Sequence, residues 1–229
     1  MSVAAPAGFP TRLSIISSIT TPASNHDLTT LAVVKGELSL TSTDAPRDTV
    51  LSRYIAECSA AAENFCNRVF VTETMKDRIF PARDAVMQIA FQGLDVLQLS
   101  RWPIVSISSL TENGEALVAN DDYIVDASNG QIYRIDGAGY PRRWDAFPIV
   151  VDYVGGYSTI PADVSAAVIR MVSQRWFARG RDPNLRGETI PGVYQANYWV
   201  STGVDGGQDG NLSPDVQAML DNYRTPVVT

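Results

Sequence analysis

One imidazole, that of His26, occurs among 229 residues, so any Ser-His-Asp or Cys-His nucleophile system would have to rest on that single side chain. Its place at a predicted helix start reads more simply as a solvent-exposed polar residue. A histidine-based zinc site fails for want of ligands, and neither a catalytic metal nor a cofactor is expected. The two cysteines, Cys58 and Cys66, lack CxxC spacing. On a shared helix they would lie about 12 Å apart along the axis, too far to bridge. They read as small core residues of a protein made in a reducing cytoplasm.

Other candidate chemistry is weighed in the same way. Gly155-Gly156 and the stretch VDGGQDGN have neither the GK[ST] tail nor the GxGxxG spacing that cradles phosphate between strand and helix. Asp205 and Asp209 could meet calcium, but the alternating acids and terminal Glu of an EF-hand loop are missing, and a flexible linker is the preferred reading. Asp121 and Asp122 are adjacent, so on a strand they would point to opposite faces. A hairpin-loop role suits them better than acid-base work. Arg170, Arg175, Arg179, Arg181 and Arg186 alternate with Trp176 and Phe177, a pattern that raises nucleic-acid binding. The simpler reading is that these arginines offset a helix dipole and pair with acids of a neighbouring subunit. Tyr194, Tyr198 and Trp199 could stack on a ligand or anchor a protein interface, and the interface is preferred. Arg175, Arg179, Tyr194, Tyr198 and Trp199 are therefore the candidate subunit-interface residues.

The elements that must position these residues follow from composition and period. With 45% hydrophobic residues, 16 Gly and 13 Pro, the chain is globular. Eighteen basic against 25 acidic residues leave a formal charge of −7, which disfavours wrapping nucleic acid through its phosphates. Charged residues are only 19% of the total, a hint that partners cover part of the surface. No apolar run approaches the roughly 18 residues of a membrane span, and a soluble protein is expected. The start, MSVAAPAGFPTR, lacks the basic and apolar regions of a secretory signal.

Residues 1–23 show no sustained period and read as an extended arm, with the first element beginning after Pro22. A helix capped by Ser24 or Asp27 carries Leu28, Leu31, Val34 and Leu38. A stronger one spans Asp48 to Phe70, with Leu51, Tyr54, Ile55, Cys58, Ala62, Phe65, Cys66 and Val69 at the 3.6 period. From 71 to 157 the chain turns to short β-branched runs, and Asn113-Gly114 and Asn129-Gly130 suggest two tight hairpins with φ > 0 at both central residues. Pro103, Pro141 and Pro148 fall at strand starts or in loops. Helix returns near Pro161, with the stripe Val164, Val168, Met171, Val172 and Trp176, and closes at Gly180. A long Gly-rich connection runs from Arg181 to Gly210, too long to be an idle link. Ser213-Pro214-Asp215 then opens a short final helix. The expected fold class is α+β, a small bundle of about four helices with an antiparallel β-sheet insertion between the second and third. In domain terms, an arm of 1–23 precedes one domain with helical core 24–70 and 158–224, insertion 71–157 and C-terminal arm 225–229.

The ordered set LAVVKGELSL, RDTVLSRYIAECSAAAENFCNRVF, LSRWPIVSISSL, DYIVD, GQIYRI, IVVDYVGGYSTIPADVSAAVIRMVSQRWFARG, IPGVYQANYW and SPDVQAMLDNYR resembles the head-to-tail connector, or adaptor, proteins of long-tailed bacteriophages and gene transfer agents. The likeness runs from about Leu28 to Arg224. It implies a non-enzymatic virion protein of the neck, made in a bacterial host cytoplasm, that forms a ring of typically twelve copies beneath the portal protein. Double-stranded DNA would pass through the ring without sequence-specific contact. The opposite side would receive a stopper or tail-completion protein, and no membrane is involved. In such relatives the C-terminal segment reaches the portal, so Tyr223, Arg224, Pro226, Val227 and Val228 are the candidate portal-binding residues. The longer Ala/Pro/Ser arm before His26 and the VDGGQDGN loop depart from the family pattern. The alternatives are a stopper or tail-completion protein of the same neck, and a carbohydrate-binding β module using Trp144, Tyr194 and Trp199.

Overall fold

The structure, a computed structural model, describes residues 13–81, 94–180, 187–190, 194–197 and 212–225. The chain divides into two compact units, one from the described residues up to Ala23 together with those from Thr72 to Ser158, the other from Ser24–Val71 and the described residues from Thr159 onward. The fold is α+β.

In the first unit all named sheets are antiparallel. Strands β1 (Leu13–Thr21), β2 (Glu73–Pro81), β4 (Ile104–Glu112), β5 (Glu115–Ala116) and β9 (Ile149–Gly155) form a five-stranded sheet in the order β1-β2-β9-β4-β5. A second sheet joins β3 (Val96–Gln98), β7 (Gln131–Ile135) and β6 (Tyr123–Asp126), and β8 (Pro141–Arg142) also pairs with β7. Strict alternation explains the larger sheet: Glu73, Met75, Asp77 and Ile79 of β2, and Ile149, Val151 and Tyr153 of β9, are buried while their neighbours are less so. Met75, Ile79, Ile149, Val151 and Tyr153 meet Leu97, Leu99, Ile104, Leu110, Tyr123, Ile132 and Trp144 in one core.

β1 is a departure from expectation, because it lies within the residues read as an arm. Its Ser and Thr hid the β pattern, and pairing with β2 from Leu13↔Pro81 to Thr21↔Thr74 supplies the order that local sequence does not. The sheet therefore takes a strand from before the first helix as well as those between the second and third.

Asn113-Gly114 makes the expected two-residue hairpin between β4 and β5, with φ of 52° and 88°. Asn129-Gly130 does not. β6 and β7 are joined by four residues, Asp126 pairs with Gln131, and only Gly130, at φ 71°, is left-handed. The Asp126 carboxylate explains the wider turn, accepting from Ser128 Oγ at 2.7 Å and from Asn129 Nδ2 at 2.7 Å. These bonds, Asn129's first, hold the carboxyl below its ordinary range. Pro103 and Pro148 directly precede β4 and β9, and Pro141 opens β8, as the missing donor requires.

The second unit holds helices α1 (Leu31–Glu37), α2 (Ala45–Cys66), α3 (Ala162–Ala178) and α4 (Pro214–Leu220), the last running into a 3-10 turn at Asp221–Tyr223. α1 starts later than the caps Ser24 and Asp27 imply, because Thr30 Oγ1 accepts from Val33 N. α2 starts at Ala45 and stops at Cys66, where Asn67 turns left-handed at φ 49° and Arg68 N reaches Glu63 O. Leu51, Tyr54, Ile55, Cys58, Ala62 and Cys66 are buried, as are Val164, Val168, Met171 and Val172 of α3. Trp176 is only half-buried. The stretch read as a loop after α3 contains a hairpin, β10 (Gly187–Ile190) with β11 (Tyr194–Asn197). Among the described residues no helix is long and apolar enough to cross a membrane.

Candidate functional site

The last described residues are seated on the carboxyl end of α2. A helix leaves its final carbonyls unpaired, and here Thr225 N donates to Cys66 O at 2.9 Å. Just before it, the Tyr223 ring stands edge-on to buried Phe70, with centroids 5.9 Å apart, and its hydroxyl lies 3.5 Å from Asp163 Oδ2 at the start of α3. The Arg224 guanidinium covers the Phe65 ring at 5.1 Å. Tyr223 and Arg224 thus hold the end of the described chain on the helical unit. Pro226, Val227 and Val228 lie outside the described residues. Beneath this seat, Cys66 Sγ is 3.6 Å from Leu220 O, and burial pushes its thiol up to about 11. Burial also raises Cys58. Both thiols are uncharged and buried at neutral pH, poor nucleophiles by either measure.

The basic stretch of α3 is engaged within its own chain. Arg175 Nη2 meets Glu57 Oε2 of α2 at 2.5 Å, and its guanidinium lies over the Tyr54 ring at 4.7 Å. Arg170 pairs with Asp215 at the start of α4. The Ser213 hydroxyl, with Arg170 assisting, holds that carboxyl below its usual range. Arg179 stacks on Trp176 at 3.7 Å. Arg170 and Arg175 therefore find acids in the same molecule, tying α3 to α4 and to α2 respectively. The same end of α3 leaves Phe177 73% exposed. For Tyr194 the structure gives the backbone in β11, and Tyr198 and Trp199 lie outside the described residues.

His26 Nδ1 lies 3.2 Å from Glu63 Oε2, whose other oxygen accepts from Phe70 N. This joins the segment before α1 to the end of α2. Among the described residues, no group of three or more His, Cys, Asp or Glu side chains could hold a metal ion. Trp144 is fully buried, and its indole N–H donates to Ile132 O. That removes it as a sugar-stacking surface, since such a ring must present an open face.

Two polar clusters inside the β unit escaped the sequence reading. Asp77, fully buried, accepts from Ser100 N at 2.9 Å, Ser100 Oγ at 2.8 Å and Tyr153 OH at 3.0 Å, while Arg101 N donates to that same tyrosine oxygen. Burial is the main cause that raises the Tyr153 phenol. Beside it Arg101 pairs with buried Glu73. Arg134, 8% exposed, meets Glu112 at 3.0 Å and Asp122 at 3.2 Å and also bonds the Ile135 carbonyl. Each group is held by several partners, so these are struts between loop and sheet rather than reactive centres. The available signal was the alternation of β2, which puts Glu73 and Asp77 on the face of Met75 and Ile79. Asp122 serves here as a turn residue, accepting from Val118 N at 2.9 Å.

Comparison with known proteins gives fold likeness without close relatives. No protein-family model matches the chain, and no curated protein does. Among solved structures the fold is similar to a chain in the neck of an empty gene transfer agent particle, computed with C6 symmetry. That likeness covers 93% of this chain and 97% of the other, with 18% identity and a TM-score of 0.51. It is also similar to a chain in the neck of a native gene transfer agent particle, computed with C12 symmetry, over the same shares at 16% identity and a TM-score of 0.50.

Proposed function

We propose that this chain is a structural adaptor of a virion neck, forming a dodecameric ring that joins the portal protein at the capsid vertex to a stopper or tail-completion protein and lines part of the DNA channel. The observation that supports this reading is likeness along nearly the whole length of both chains, 93% and 97%, to neck chains of gene transfer agent particles. Among the described residues, the Asp77 and Arg134 clusters brace the β unit, and Arg170 and Arg175 brace the helical unit.

In this reading the seat at the end of α2 aims the C-terminal segment at the portal. Tyr223 and Arg224 anchor it, and Pro226, Val227 and Val228 supply an apolar strap for a groove on the partner. Arg175, Arg179, Tyr194, Tyr198 and Trp199 contribute to contacts between copies, with Arg175 acting by fixing the α2 and α3 surfaces. The formal −7 of each copy suits a channel wall past which DNA must slide without sticking. The direct test is capture of the purified chain by the cognate portal ring, with and without residues Pro226–Thr229. Binding by the full chain and its loss on truncation is the expected result. Equal capture of both would remove the strap assignment, and capture of neither would remove the adaptor reading.

A further inference from the structure

The five-stranded sheet ends in β1, an exposed edge on whose outer side no described strand pairs. β1 is nine residues long, LSIISSITT, with no charged residue and no proline. Ser14 to Thr21 are all exposed, including Ile15 at 38%, Ile16 at 60% and Ile19 at 50%. Ile15 and Ile19 pair across to Ile79 and Met75, so they extend the core face of the sheet beyond its covered part. Among the described residues no strand pairs with the outer side of β1. Soluble proteins blunt such an edge with lysine, proline or bulges, because its unpaired N–H and C=O groups template further strands. β1 has one irregularity, near its end at Ile19/Thr21.

At the far side of the same sheet, β4 is partly covered. Ile104 N donates to Ala127 O, and β5 with Leu117 N covers Leu110 to Glu112. Between them lies Val105–Ser109, VSISS, also without charge and with Val105 49% exposed, its register against β9 shifting at Ile104/Ser106 and again at Ile107/Ser109, so a partner strand must follow a bulged edge. Because β1, β2, β9 and β4 alternate in direction, β4 of one copy laid head-to-tail beside β1 of the next runs antiparallel to it, with both sheets showing the same face. Copies carrying −7 each repel in general, and neither of these two stretches contains a charged residue to add to that repulsion.

We infer that the outer edge of β1 pairs with Val105–Ser109 of β4 in a second copy of this chain, continuing one antiparallel sheet from subunit to subunit. Such a contact uses two different surfaces of each copy, the kind that closes rings. The inference rests on the ring reading above and names where the copies meet. Ile16 and Val105 would be covered in the assembly, and the backbone amides of β1 that face outward would gain partners.

The test compares wild type with the Ile16→Lys, Ser18→Lys double variant, both positions being exposed in the free chain. Circular dichroism is expected to show an unchanged monomer, and native mass spectrometry is expected to show the assembled fraction with the portal ring falling about tenfold or more. In wild type, amide hydrogen exchange of Ser14–Thr20 and Val105–Ser109 is expected to slow on assembly. A wild-type ring whose β1 and β4 amides exchange as fast as in the monomer would overturn the β-edge contact and leave the adaptor function standing. So would a double variant that assembles as well as wild type. A wild-type chain that never assembles, alone or with portal, would overturn both.

Discussion

Gly130 shows how much a single position can demand. Its φ of 71° is left-handed, and a Cβ built there would stand 2.6 Å from Trp102 Cβ and 3.2 Å from Gln98 Nε2. Gly130→Ala must bear both the backbone cost and the clash, and is expected to lose about 2 kcal/mol or more in denaturant unfolding. Arg134 is a second such residue. Arg134→Met would leave the Glu112 carboxylate, 7% exposed, without its main partner, with an expected loss of roughly 3 kcal/mol by the same measurement. A change below about 0.5 kcal/mol would show that Glu112 finds water instead. Residues like these were only half legible in the sequence. Asn-Gly pairs announce turns, but the width of the turn at Asn129-Gly130 was decided by the Asp126 side chain, which the dipeptide does not reveal.

Helices and strands separate into those fixed by their own period and those fixed by partners. α2 and α3 were readable because their apolar stripes repeat over several turns and bury Leu51, Ile55, Cys58, Val164, Val168 and Val172. β1 and the β10–β11 hairpin were not, since Ser, Thr and Gly mask alternation and pairing across the chain supplies the missing information. The candidate interface residues were read from the arginines of α3 and the aromatics that follow it, whereas the candidate portal-binding residues came from the resemblance. At this scale α1 and α2 are tied by Lys35 Nζ to Asp48 Oδ2 at 2.8 Å. That hydrogen bond holds Asp48 below its ordinary 3.8. A depressed carboxyl contributes fully above its unfolded value, and the contribution is lost as pH falls through the folded one. Asp48→Asn should therefore lower the urea midpoint at neutral pH, and the difference from wild type should vanish in acid. A difference that persisted in acid would place the effect in packing. The thiols give another check: Cys58 and Cys66 should react with a thiol reagent only as the helical unit opens, at a rate that tracks unfolding.

For the whole molecule, the two units divide the labour the proposed role requires. The helical unit seats the C-terminal segment through Thr225, Tyr223 and Arg224, while the β unit offers the uncharged edges by which copies would join. Both rest on the chain being one part of a closed assembly, and the mass of that assembly tests this most directly. Native mass spectrometry of the protein alone and after mixing with the cognate portal ring is expected to show a portal-dependent complex with one copy of this chain per portal subunit. A chain that keeps its monomer mass beside intact portal rings, with both at high concentration, would contradict the account.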